Sequence, residues 1–272
     1  MSGLDVLKHS WGMVWRNKAK AARISVVLFV MTILIEVVMG LLSAFSSDPF
    51  ANYTPLGPIG DLFIGIISLI IGAWIAVAWH RFVLLNETPT GWVPSWHGSE
   101  VMLYTLWIFL MAIGMLVALI PVFAAIVPVI MQIETEAAPN MGMAFIVSVI
   151  AAVFVTFLMI AMMRLSPVLV SRSLGQNLSL KQAWRATRGS SKLIFGVFFW
   201  LFLILIGIVI VVGSFVAILS AANLWVLLAG LGIPAYFVGI WLMTLLQISI
   251  MTTIYGVFIE GRELPYSGGK LA

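Results

Sequence analysis

Residues 142–192 read GMAFIVSVIAAVFVTFLMIAMMRLSPVLVSRSLGQNLSLKQAWRATRGSSK. The stretch is almost wholly apolar up to Arg164, and the part that follows is rich in Lys and Arg. About 20 apolar residues suffice for a helix to cross the ~30 Å hydrocarbon core of a bilayer. The apolar part therefore predicts a membrane span. The basic part predicts a cytoplasmic connection, because Lys and Arg collect on that side of the membrane.

The same alternation of apolar and basic stretches extends over the whole chain. All 14 Lys and Arg residues lie before the first apolar stretch, just after the second, near the end of the fourth, between the fourth and fifth, or after the sixth. The sequence therefore predicts an all-α integral membrane protein: six transmembrane helices as three in-out-in hairpins, with short interfacial helices and both termini cytoplasmic. The predicted spans are 24–44, 60–80, 102–131, 142–168, 193–220 and 224–258.

Composition limits the class of protein further. The chain is 62% hydrophobic and 9% charged, whereas soluble domains carry about 25% charged residues. The net charge of +4 follows from the positive-inside pattern, so it does not indicate a nucleic-acid partner. The absence of Cys excludes disulfides and a cysteine nucleophile. We expect a single membrane domain over residues 1–272.

Two segments at the cytoplasmic side have the pattern of interfacial helices. Leu4, Leu7, Trp11 and Trp15 recur at spacings of three or four, which places an apolar stripe on one helix face. Such a helix is expected to lie in the headgroup plane.

The second segment, 180–184, repeats the L-K-x-x-W pattern of residues 7–11. Ser179 and Gln182 before and within it predict a capping box. Before the second hairpin only Trp96 falls in the same register, but each hairpin ends in a basic residue, Arg81, Arg164 and Arg262. This pattern suggests three related units. The alternative is that Trp and Lys or Arg collect at any membrane interface. The predicted units are 1–91, 92–176 and 177–272.

Two features inside the spans bear on helix packing. Gly65, Ser68 and Gly72 predict a face that another helix approaches closely, either within the molecule or in an oligomer. Pro121 and Pro128 each remove a backbone donor, so we expect a kink or break in the outer half of the third span.

Glu36 is the one ionisable residue well inside a predicted span. A charge in hydrocarbon costs at least about 2.5 kcal/mol, so we expect the carboxyl group to face the bundle or to be protonated. It is either a proton or substrate site, or a neutral group bonded to another span. The candidate partners for the second case are Gln247, Thr244 and Thr156.

His80, Arg81 and Glu87 form a polar cluster at the cytoplasmic end of the second span. His80 is expected to titrate near neutral pH, and Arg81 to hold a lipid phosphate through two parallel hydrogen bonds. The alternative is an interfacial anchor with its stem in lipid and its head in water. The three His residues lack the spacing of a zinc site, so neither a metal nor a cofactor is predicted.

Residues 78–87, AWHRFVLLNE, resemble a stretch of uncharacterised six-span bacterial inner-membrane proteins. Those proteins are similar to the membrane domain that precedes some glycerophosphodiester phosphodiesterases. Residues 164–167, 183–189 and 255–258 fit the same pattern. The resemblance implies a stand-alone membrane module of the bacterial inner membrane and no reaction, because the catalysis of the related hydrolases lies in a separate soluble domain.

The favoured hypothesis is a non-enzymatic module that binds anionic lipid headgroups at the cytoplasmic face, or a partner membrane protein. One alternative is a small transporter or permease subunit that uses Glu36. Another is a membrane-embedded enzyme acting on lipid headgroups through the cluster at the end of the second span. The candidate binding residues are Glu36, His80, Arg81, Glu87, Arg164, Arg185 and Arg188.

Arg164 provides a specific expectation about depth. It follows enough apolar residues to have reached the cytoplasmic interface, so it should point towards headgroups and should not pair with Glu36 in mid-membrane. Leu165–Val170 should then leave the bilayer core and run along or under the interface. Pro167 should mark the bend.

Overall fold

The computed structural model describes residues 1–45, 57–134, 141–222 and 224–264. Helices are the only regular structure among these residues. Lys270 and most of the connections 45–59 and 132–141 lie outside the described part of the chain. The helices are α1 (Gly3–Arg16), α2 (Lys18–Phe45), α3 (Gly57–Leu85), α4 (Gly98–Glu134), α5 (Met141–Leu165), α6 (Pro167–Ser173), α7 (Leu180–Ala186), α8 (Ser191–Ala221) and α9 (Trp225–Phe258).

Six helical stretches of the described residues are long and apolar enough to cross a membrane. They coincide with the six predicted spans, so the all-α, six-helix part of the prediction is confirmed. Orientation relative to the membrane, interfacial placement of the short helices and the three-unit division stay predictions. The stretches are Lys18–Leu42, Ile59–Leu85, Gly98–Val129, Gly142–Ser173, Ser191–Ala221 and Gly230–Phe258.

Capping boxes begin two of the short helices. Ahead of α7, Ser179 Oγ accepts from the Gln182 backbone N–H at 3.2 Å, and Gln182 Oε1 accepts from the Ser179 N–H at 2.9 Å. This capping box was predicted from the sequence and is confirmed. A second, at α1, joins Ser2 and Asp5 in the same way. These bonds lower the pKa of Asp5, chiefly through donation by the Ser2 backbone N–H.

The ends of the helices that carry Lys and Arg lie together. Arg81 Nη1 donates to the carbonyl of Ser173 at 3.1 Å, and Arg262 Nη2 donates to the carbonyl of Leu84 at 3.3 Å. The ends of α3, α6 and α9 therefore meet at one end of the bundle, which we call the basic end. It comprises residues 1–23, 81–100, 164–192 and 255–264.

Buried side chains concentrate towards the basic end. Trp79, Tyr104 and Tyr255, the largest fully buried residues, lie in the half of their helices nearest to it. Burial differs greatly between helices. In the most apolar stretch of α8 no residue is buried, whereas 44% of the most apolar stretch of α9 is buried. Helix α9 is thus the central helix, whereas α8 presents most of its surface outward.

Helix α1 packs through a different face from the predicted one. Val6, Ser10 and Val14 are buried against α8 and α9, whereas the side chains of Trp11 and Trp15 are 40% and 54% exposed. Leu7 of the predicted stripe is buried. The rings of Trp11 and Trp15 stack on each other on the outer side, with their centroids 5.8 Å apart. Val6, Ser10 and Val14 recur at spacings of four and form the packed face, although the predicted stripe did not include them.

The closest approach of α1 is to α8. An added Cβ on Gly3 would lie 2.4 Å from backbone atoms of Gly196 and Val197. Further along α1, the hydroxyl groups of Ser10 and Thr253 are 2.9 Å apart and buried. The close approach of Gly3 to α8 and the hydrogen bond between Ser10 and Thr253 therefore hold α1 against α8 and α9.

Helix α5 ends at Leu165 and α6 begins at Pro167, but Ser166 between them keeps helical backbone angles, so the bend expected at Pro167 stays a prediction. The following segment is not a surface strip, however. Val168, Val170 and Ser171 have no measurable exposure, and α6 packs against α3, α4 and α9. This apolar segment therefore packs inside the basic end of the bundle, while its position along or under the membrane interface stays a prediction.

Helix α4 is continuous with Pro121 and Pro128 inside it. The third span is therefore not broken there, and a kink at these residues stays a prediction. A Cβ added at Gly65 or Gly72 would meet no atom within 4 Å. No helix of the described residues approaches that face, and packing within the molecule does not explain it. An oligomer contact stays a prediction.

Candidate functional site

Arg81 and Glu87 form a closed ion pair at the end of α3. Asn86 adopts a left-handed φ of 58° and turns the chain back, so that Glu87 faces Arg81. Glu87 accepts from Arg81 Nε at 2.8 Å and from Nη2 at 2.5 Å. Nη1 is occupied by the Ser173 carbonyl. All three guanidinium nitrogens therefore have partners. The Nε–Nη2 edge of the guanidinium group is thus occupied by Glu87, and phosphate binding by Arg81 stays a prediction.

The Arg81–Glu87 pair predicts a pH-dependent contribution to stability. Hydrogen bonds from Arg81 lower the pKa of Glu87 below its ordinary value of 4.5. The contribution is therefore complete above that value and lost as the pH falls through the lowered pKa. Glu87→Gln should be less stable than wild type at neutral pH, by up to about 1 kcal/mol for a part-exposed pair. Thermal unfolding in detergent at several pH values measures this.

At acid pH the difference between Glu87→Gln and wild type should vanish. The matched control is Glu263→Gln, since Glu263 is exposed and has no ion pair among the described residues. A pH-independent difference, or an equal effect of the control, would contradict the prediction.

His80 is fully buried, which corrects the expectation of an imidazole at the headgroups. The Thr252 hydroxyl donates to the carbonyl of Ile248 at 2.9 Å and therefore accepts from His80 Nδ1 at 2.8 Å. Nε2 is then left to accept from the Tyr104 hydroxyl at 3.2 Å. The ring is a neutral tautomer that joins α3, α4 and α9. A headgroup enzyme that uses His80 has no accessible base in this arrangement.

Arg164 holds α7 against the end of α5. Its guanidinium carbon lies 3.6 Å from the centroid of the Trp184 ring, and Nη2 donates to the Trp184 carbonyl at 2.9 Å. Nε reaches the Thr187 hydroxyl at 3.4 Å. Arg164 is thus at the basic end, far from any pairing with Glu36, and its main contact is with α7. A cation on an aromatic face and a charge-assisted bond both stabilise this position.

Helix α7 and the turn that follows it present three cations that have no partner among the described residues. Lys181, Arg185 and Arg188 are exposed, and their side chains make no hydrogen bond or ion pair with the described residues. The side chain of Trp184 between them is 40% exposed. Of the predicted site residues, Arg164, Arg185 and Arg188 are therefore brought together here. Arg81 and Glu87 pair with each other, and His80 bonds separately to Thr252 and Tyr104.

Glu36 lies on the exposed surface of α2, so of the two expected arrangements the one in which its carboxyl group faces the bundle is wrong, and the protonated group stays a prediction. No described residue bonds to its carboxylate. Two of the expected partners, Thr244 and Thr156, donate to backbone carbonyls of their own helices. The transporter alternative stays a prediction.

The search for a metal site gives no group of three His, Asp or Glu residues within the described ranges. Comparison of the chain with protein-family models, with curated proteins and with solved structures finds no match. The resemblance to the membrane domain of glycerophosphodiester phosphodiesterases is therefore neither supported nor refuted. The regular structure of the described residues is all helical, and six of their helices are long and apolar enough to span a membrane.

Proposed function

We propose that this protein is a non-enzymatic module of the bacterial inner membrane that binds the headgroups of anionic lipids through α7. The observation that carries the proposal is a set of three exposed cations without a partner among the described residues: Lys181 and Arg185 on α7, and Arg188 in the turn after it. In this proposal both termini and the basic end are cytoplasmic, and the hairpins point outward.

The physical basis is electrostatic attraction combined with aromatic anchoring. A Lys or Arg near an anionic membrane surface contributes about 1 kcal/mol to binding. Trp184 adds an amphipathic ring of the kind that favours the headgroup level. Because Arg164 stacks on that ring, the position of α7 is fixed before a lipid arrives, which lowers the entropic cost of binding.

Replacement of Lys181, Arg185 and Arg188 by Gln should abolish the retention of anionic lipid. Three lost charges correspond to about two orders of magnitude in affinity. The measurement is native mass spectrometry of protein released from mixed phosphatidylglycerol and phosphatidylcholine vesicles, counting each lipid retained.

In the matched control, three other exposed cations of the basic end are replaced by Gln: Lys8, Lys18 and Arg23. An unchanged count of phosphatidylglycerol in the α7 variant refutes the proposal, as does an equal loss in the control. Since the charges also affect insertion, the accessibility of a terminal tag in spheroplasts must be the same for both variants.

A further inference from the structure

An apolar groove runs between α4 and α5. Its inner part has a volume of about 500 Å³, within the range of about 300–1,000 Å³ of ligand pockets. A smaller cavity of about 170 Å³ continues it outward. Lining residues of the inner part include Trp107, Gly114, Ala118, Leu158, Ala161 and Leu165.

The two cavities belong to one groove. On α4 the inner lining ends at Ala118 and the outer lining begins at Pro121; on α5 the corresponding residues are Leu158 and Phe154. Residues three or four apart lie on one face of a helix. The same faces of α4 and α5 therefore line both cavities.

The length of the inner part corresponds to one leaflet. From Trp107 to Ala118 the helix rises about 16 Å, which is about half of the ~30 Å hydrocarbon core. Spread over that length, the volume of about 500 Å³ corresponds to a mean cross-section of roughly 30 Å². This admits a single hydrocarbon chain but not a helix, which is about 10–12 Å wide with its side chains. An unfilled groove would lose the dispersion contacts of its lining atoms.

The mouth of the groove lies at α7. Leu180, the first residue of α7, lines its inner end and is followed by the exposed Lys181. On the α4 side, the Arg172 guanidinium lies 5.3 Å from the centroid of the Trp107 ring. An apolar groove that opens beside cations complements a molecule with a hydrocarbon tail and an anionic head.

We infer that the α4–α5 groove holds an acyl chain of an inner-leaflet anionic phospholipid whose headgroup lies on α7. This inference rests on the proposed function and gives it a defined site. It distinguishes one bound lipid from the annular lipids that contact every span.

The test is photolabelling of the full chain in phosphatidylcholine nanodiscs that contain phosphatidylglycerol with a diazirine in mid-chain. Labels should concentrate on residues 107–118 and 158–165. Gly114→Phe should reduce this labelling several-fold, because a Cβ at Gly114 meets no atom within 4 Å and the ring is free to fill the groove. Gly207→Phe on α8, where a Cβ is equally unobstructed, should leave it unchanged.

If a variant fails to fold, the distribution of labels over the wild-type chain tests the inference without it. Labels spread evenly over all spans overturn the groove, while the headgroup proposal is judged separately by lipid retention in the α7 variant. Equal groove labelling by a phosphatidylcholine probe overturns the anionic assignment. If residues 107–118 take no lipid label and a separate bifunctional crosslinker joins them to another copy of the chain, the occupant is a second copy, and the inference is also overturned.

Discussion

Gly3→Ala is expected to displace α1 from the bundle and to destabilise the protein by about 1–3 kcal/mol, the usual cost of overpacking. The new methyl group would lie 2.4 Å from the backbone of Gly196 and Val197, and no flexible side chain is there to move aside. The loss should appear as a lower thermal unfolding temperature in detergent and as faster proteolysis within residues 1–23.

Gly12→Ala is the matched control on the same helix. There the added Cβ meets only the Arg16 side chain, at 3.7 Å or more. Ala is favoured over Gly inside a helix by about 0.5–1 kcal/mol, so this substitution should be neutral or stabilising. If both variants shift the unfolding temperature in the same direction, the close crossing of α1 over α8 is not present in the protein.

His80→Leu is expected to cost about 1–3 kcal/mol, because it leaves the buried Tyr104 hydroxyl without its acceptor. Thr252 keeps its bond to the Ile248 carbonyl, so the loss falls mainly on the α3–α4 contact. Unfolding of the purified protein by heat in detergent measures the effect.

Tyr104→Phe in the His80→Leu background removes the orphaned hydroxyl. The double variant should therefore be less destabilised than the sum of the two single variants, with a coupling of about 0.5–3 kcal/mol. Strict additivity would show that the imidazole and the phenol do not interact, and that the burial of His80 has another cause.

The number and limits of the long helices were predictable because length and hydropathy alone determine which segments can span a bilayer. The capping box at Ser179 was predictable for a similar reason, since its partners are three residues apart. Both depend on local sequence. The predicted spans are shorter than α3 and α4 at their basic ends, where the helices continue into polar residues at the surface of the bundle.

The partners of the polar residues were not predictable. His80 bonds to Thr252, which is 172 residues away, and Arg81 bonds to the carbonyl of Ser173. Because His80 and Arg81 are polar residues at the end of an apolar stretch, the sequence predicted that both lie at the membrane interface. Whether such a side chain contacts lipid or protein depends on tertiary packing, which the sequence does not show. The burial of α6 was missed for the same reason: an apolar segment near an interface resembles a surface strip until its neighbours are known.

The α4–α5 groove also gave no signal in the sequence. It arises where small residues such as Gly114 and Ala161 face each other across two helices, and small residues are equally common where spans pack tightly. Gly65 and Gly72 illustrate the ambiguity, since they fit the tight-packing pattern and yet are approached by no described helix.

The contact between Ser10 and Thr253 has a consequence for biosynthesis. The two residues are 243 positions apart; at about 5–20 residues per second, a ribosome needs roughly 10–50 s to travel between them. During that interval the first helix is already made, but its buried face has neither α8 nor α9 to cover it. The nascent chain must therefore be sheltered, by the insertion machinery or by lipid, until the central helix arrives last and completes the bundle.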